Sequence, residues 1–203
     1  MNAIFAIFGK LILVLLVVGG VAGGAYYYGQ NKGNLVPSGS ASSAPSASPA
    51  SKKIVEGGVP KSAGLSYDLY TIEVPNDWSA SRETGQAYEK LTISKGTATL
   101  TIMQGATGGA MCLYPGDPDF EGPSSRYTKF VALTTQDGRN LRRGSTDDPP
   151  YQGKVGFTLC QENSEGNFGQ PTNYGHTGYS LPAGYDASIL PEMDAMVTSL
   201  KKK

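Results

Sequence analysis

The sequence predicts an α+β fold: an antiparallel sheet of about six or seven strands packed by a C-terminal helix and preceded by one transmembrane helix. Three observations predict it. Residues 11–28 form an uncharged apolar run, residues 54–181 alternate apolar and polar positions with period two, and residues 187–200 switch to a helical stripe. The chain has 203 residues, enough for one domain and its accessories. Gly (27) and Pro (13) make up about a fifth of it and charged residues only 17%, which excludes a coiled coil.

The N-terminal run LILVLLVVGGVAGGAYYY spans residues 11–28. At about 1.5 Å per residue it covers ~27 Å, close to the ~30 Å hydrocarbon layer, and Tyr26, Tyr27 and Tyr28 stand where an aromatic belt belongs. A cleaved signal peptide is the competing reading, since Gly23-Gly24-Ala25 offers small residues. The length of the run and the bulky tyrosines favour a retained anchor. The flanking lysines do not settle its orientation; a Ser/Ala/Pro tether together with the cysteine pair points to an external body with residues 1–10 cytoplasmic. The segment 29–53 reads as a disordered linker: Ser38 to Ser51 contains only Ser, Ala, Pro and Gly and can bury nothing. The first 53 residues hold four lysines and no acid, so a weakly acidic body, 54–203, hangs from a basic segment. No basic face large enough for nucleic acid is evident.

Within the body, Tyr70, Ile72 and Val74 alternate with Thr71 and Glu73 and stop at Pro75-Asn76-Asp77. Ala87, Glu89, Leu91 and Ile93 oppose Tyr88, Lys90 and Thr92; after Ser94-Lys95-Gly96 the chain returns with Ala98, Leu100 and Ile102 on one face, a β-hairpin. A second hairpin runs from Tyr127–Thr134 through Gln136-Asp137-Gly138 to Arg139–Arg143. Lys154–Gln161 and Gly175–Leu181 read as further strands. Ile189, Met193, Met196, Val197 and Leu200 then form one helical stripe. Asp186 or Ser188 can cap that helix, Pro191 sits in its first turn, and Lys201–Lys203 face the negative end of its dipole.

The opening YDLYTIEVPNDW (Tyr67–Trp78), the hairpin from Tyr88 to Met103 and the ending MDAMVTSLK (Met193–Lys201) resemble the first strands and closing helix of PsbP-like domains. The resemblance spans about 60 of the 150 body residues. It implies an α/β/α sandwich and a non-enzymatic binding or assembly role. The glycine-rich middle, Gly105–Ser125, has no counterpart in that pattern.

Cys112 and Cys160 are the strongest chemical signal. They lie far apart without a C-x-x-C spacing, which points to a structural disulfide rather than a redox pair, with two buried thiols as the alternative. A bridge would close a loop of about 49 residues, worth roughly 4 kcal/mol on chain entropy. Asp117, Asp119 and Glu121 alternate in PGDPDFEG as in the start of a calcium loop, with Gly122 at the sixth position. Thr128 stands where the twelfth-position Glu would be, so a solvated acidic turn is expected. His176 is the lone histidine; without a G-x-S-x-G elbow near Ser145 or Ser180 it reads as a strand residue. Arg139, Arg142 and Arg143, flanked by Asp137, Asp147 and Asp148, read as one locally neutralised face. The Gly105–Ala110 stretch lacks the Gly-Lys of a phosphate loop.

The sequence therefore predicts no catalytic residue, no cofactor, no metal and no nucleic-acid partner. Its expected contacts are the lipid bilayer, through residues 11–28, and an envelope protein or polymer bound by the extracytoplasmic body. A pilin-like surface subunit and an envelope hydrolase are the rival readings. The first lacks the Glu of the type IV pilin helix, and the second lacks paired carboxylates in a motif.

Overall fold

A computed structural model describes residues 51–60 and 64–203. The expected cytoplasmic segment 1–10, the anchor 11–28 and the linker up to residue 50 lie outside the described residues. Among the described residues no helix is long and apolar enough to cross a membrane.

Among the described residues thirteen strands and one helix follow in order: β1 (Lys52–Gly57), β2 (Tyr70–Pro75), β3 (Ser79–Gly85), β4 (Tyr88–Lys95), β5 (Ala98–Gln104), β6 (Ala110–Leu113), β7 (Ser124–Arg126), β8 (Lys129–Thr134), β9 (Asn140–Ser145), β10 (Lys154–Glu162), β11 (Phe168–Gln170), β12 (His176–Pro182), α1 (Ile189–Thr198) and β13 (Lys201–Lys202). A small antiparallel sheet has the order β1-β2-β13. The large sheet runs β3-β4-β5-β12-β10-β11-β6-β7, and a branch at β10 adds β9 and then β8. All pairs are antiparallel except β6–β7, which is parallel.

The fold class differs from the expected α+β arrangement. The described chain is 51% strand and 7% helical, a predominantly β structure with one short helix, not the α/β/α sandwich that the PsbP-like resemblance implies. The extra strands come from segments that carry no apolar alternation. β3 reads SASRETG and is exposed throughout, and β6, β7 and β11 have four, three and three residues. They exist because neighbouring backbone offers hydrogen bonds, not because their own side chains need burial. β1 also begins at Lys52, two residues inside the expected linker.

The alternating segments behave as their pattern requires. β2, β4, β5 and β12 alternate buried and half-buried positions along their lengths. Their inward side chains meet Leu141, Phe157 and Leu159 and the α1 residues Met193, Met196 and Val197 in one apolar cluster. Gly96 turns the β4–β5 hairpin at φ +58°, a conformation that glycine adopts without a Cβ penalty. The helix starts two residues later than expected; the Asp186 carboxylate accepts the Ser188 amide at 2.9 Å, while Ser188 makes no side-chain cap. Lys201 and Lys202 do not sit on the helix end but pair with Thr71 and Tyr70. Chain reversal after Ser199 is therefore backed by strand hydrogen bonds rather than by the helix dipole.

Two polar networks tie these layers. Inside the core, Arg143 donates to both carboxylate oxygens of Asp194 (2.8 and 3.2 Å), and the Tyr179 hydroxyl donates to the same group at 3.0 Å, joining β9, β12 and α1. At the other end Asp137, in the β8–β9 turn, accepts from Thr135 and Tyr174 (2.6 Å each), from Arg139 and from the Lys202 amide (3.1 Å each). Arg139 also reaches Asp68 at 2.7 Å, and Lys202 pairs with Asp68 at 2.9 Å. The small sheet is thus clamped to the large one through charges satisfied on both sides.

Burial acts to raise the Asp137 carboxyl, but its four donors outweigh that cost and hold it at about 2, against an ordinary 3.8. A depressed folded pKa contributes stability that is present above 3.8 and lost as pH falls through about 2. Asp137→Asn should therefore be about 2 kcal/mol less stable at neutral pH, with the gap to wild type closing toward pH 2. Urea midpoints at pH 7, 4 and 2 measure this; a gap independent of pH would contradict it.

Candidate functional site

β10 carries Phe157 and Leu159 into the core, so strict alternation turns Cys160 to the opposite side of the sheet. It is nonetheless fully buried there, under β6. Two strands apart in a flat sheet means about 9–10 Å, yet the Cα atoms of Cys112 and Cys160 are 6.4 Å apart and their sulfurs are bonded. The sheet accordingly curls at β11, and β6–β7 form a flap drawn over the outer side of β10. The expected disulfide is present, closing a sequence separation of 48.

An aromatic cluster fills the space under the flap. Tyr114 stacks on Tyr127 at 5.6 Å and meets Phe130 and Phe168 edge-on at 4.9 and 6.2 Å. Gly144 permits this: a Cβ there would lie 2.7 Å from the Tyr127 ring. The Arg142 guanidinium sits 4.2 Å from the Phe130 ring, 4.0 Å from Phe168 and 4.9 Å from Tyr114. A cation held over three aromatic faces is worth about 0.5–2 kcal/mol per strong contact. Burial raises the Tyr114 hydroxyl well above its ordinary pKa, so it stays protonated.

The three arginines expected to share one face go to three places. Arg139 joins Asp68 and Asp137, Arg142 lies among the aromatic rings 4.0 Å from Asp117, and Arg143 pairs with Asp194 in the core. Adjacent residues on a strand point to opposite sides, which separates Arg142 from Arg143. Asp147 pairs with Lys129 instead.

Asp117, Asp119 and Glu121 do not converge. Asp117 accepts the Tyr114 amide at 2.9 Å, Asp119 pairs with Arg126, and Glu121 is exposed. Among the described residues no three His, Cys, Asp or Glu side chains are grouped to hold a metal ion. His176 stands opposite Met103 on β12, with Nδ1 3.4 Å from the Gln170 side-chain oxygen and Nε2 buried without a partner. Burial, partly offset by the Gly108 backbone, holds its pKa below the ordinary value, so the ring is neutral at pH 7. Among the described residues no carboxylate orients it, as general-base chemistry on a serine would require.

The flap builds a cleft of about 440 Å³ beside the β10–β11 connection. Gln161, Gly169 and Met111 are directly paired across β10, β11 and β6, so their side chains share one face. Gly169 leaves a gap between the amide of Gln161 and the thioether of Met111. Phe120, Asn163 and Asn173 also line this cleft. None of these residues stood out in the sequence; the available signal was an unburied Phe in a Gly/Pro-rich loop and a glycine in a short polar strand.

Denatured, unreduced protein isolated from its native source should contain no reactive thiol. Reduction should lower the melting temperature by the equivalent of at most roughly 4 kcal/mol, because denatured-state structure erodes the entropic value. Two reactive thiols before reduction would contradict the bridge. No family model matches the chain, nor does any curated protein or solved structure, so nothing in those comparisons identifies a PsbP-like domain.

Proposed function

We propose that the chain is a membrane-held, extracytoplasmic domain with a non-enzymatic binding role in the cell envelope. The disulfide-pinned flap carries this reading. A Cys112–Cys160 bridge persists in oxidising compartments, and the strands it joins line a cleft that has no acid–base pair poised for chemistry among its residues. The apolar run 11–28 supports attachment to the bilayer. The acidic groups whose pKa values are lowered by their partners, Asp68 and Asp137, are committed to Arg139 and Lys202 contacts within the fold.

One observation favours a second reading, an assembling surface subunit. β8 pairs only with β9, and it exposes Phe130 and Val131 on an unpaired edge. Such a subunit would form filaments or higher oligomers as detergent is removed, whereas a binding domain stays dispersed.

Full-length protein should pellet with membranes, resist carbonate extraction and keep its original N-terminus, and protease added outside intact cells should cut ahead of Lys52. A soluble protein beginning at Tyr26 would mean a cleaved signal. A body digested only after lysis would overturn the extracytoplasmic placement.

A further inference from the structure

We infer that the cleft between the flap and the β10–β11 connection binds an uncharged polysaccharide chain. This deepens the binding reading above and rests on it.

The lining sets the chemistry. No Lys or Arg borders the cleft, and its single carboxylate, Glu162, already accepts the Asn140 amide at 2.8 Å. An anionic polymer would meet no counter-charge and one like charge. Side-chain amides dominate instead, and their oxygens are committed to the fold. The Gln161 oxygen accepts the Asn173 backbone amide at 3.0 Å, and the Asn173 side-chain oxygen accepts the Gln161 amide at 2.8 Å. The Asn163 oxygen accepts the amides of Glu165 and Asn167 at 3.0 Å each. The NH₂ groups of Asn163, Gln170 and Asn173 make no hydrogen bond among the described residues. Donors fixed in direction by their own oxygens match the hydroxyl oxygens of a sugar.

The apolar part matches the other face of a sugar. Phe120 is a large hydrophobic side chain left 46% exposed, beside Pro123 and Met111. A pyranose offers C–H groups on one side and hydroxyls at its edge, and it needs such a ring next to such donors. The volume of about 440 Å³ lies within the range of ligand sites, and the cleft opens to solvent, which suits a segment of chain. A peptide added as a strand is disfavoured by topology: β11 already pairs with β10 on one side and β6 on the other, leaving no free backbone edge in the floor.

The gap at Gly169 supplies the test. A Cβ there would meet Ala110 O at 3.4 Å and Met111 Sδ at 3.7 Å, ordinary contacts, and its φ is not in the left-handed region. Gly169→Val should therefore fold and fill the trough. Full-length protein in detergent is titrated calorimetrically with hexamers of β-1,4-glucose, α-1,4-glucose, β-1,4-mannose and β-1,4-N-acetylglucosamine, and with an anionic galacturonate hexamer. At least one uncharged hexamer should saturate the wild type; Phe120→Ala should weaken it tenfold or more, and Gly169→Val should abolish binding with the melting temperature unchanged. Failure of every uncharged hexamer, preference for galacturonate, or binding indifferent to Gly169→Val would overturn the inference. Co-sedimentation with purified envelope fragments separates the two levels. If the hexamers fail but sedimentation still depends on Gly169, the cleft binds something else and the binding reading stands. If sedimentation is also absent, both fall.

Discussion

The bond between Cys112 and Cys160 joins strands that a flat sheet would keep apart, and so fixes the curl at β11. β6 and β7 together contribute seven residues, and only Cys112 and Leu113 among them are buried. Their apolar burial is too small to offset the backbone entropy of ordering the long Gly/Pro-rich segment around them. With the sulfurs joined, Tyr114 is delivered onto Tyr127, Phe130 and Phe168, and Arg142 has three rings to lie against. Gln161 and Met111, each next to one of the cysteines in sequence, face away from the bond, so the cleft over Gly169 lies on the opposite face of the same strands.

The other side of β10 obeys different physics. There the core is apolar and continuous, and the charges within it are few and fully partnered. Arg143 with Asp194 and Tyr179 is costly to desolvate, and a hydrophobic trio of equal volume could be as stable. Its effect is positional: a bidentate contact specifies where α1 lies along β9. The Asp137 cluster does the same for the short C-terminal strand, where two lysines could otherwise pair in several registers. Burial of the apolar core drives folding, and these networks select one arrangement of its layers.

Much of this was legible in the sequence and some was not, for identifiable reasons. β2, β4, β5, β10, β12 and α1 were visible because each has one face in the core, which imposes a period on the residues. The disulfide was visible because two cysteines without metal or redox spacing leave few alternatives. β3, β6, β7 and β11 were not: their pairing is set by neighbours, and SASRETG carries no period of its own. The same omission turned a mostly β structure into an expected α+β sandwich. The arginines misled because closeness in sequence was read as closeness in space, whereas Arg142 and Arg143 face opposite sides. Nothing local could show that Lys201 and Lys202 would leave the helix axis, since their partners lie about 130 residues earlier. The cleft was invisible for the opposite reason: its floor is a missing side chain.

The account stands on the flap being held by one bond over an otherwise independent sheet. Hydrogen exchange of the oxidised and reduced protein, resolved by segment, tests this directly. Reduction should raise exchange across residues 105–126 and 163–170 while β4, β5 and β12 keep their protection. Equal protection of the flap in both states, or loss of protection throughout the sheet on reduction, would contradict it.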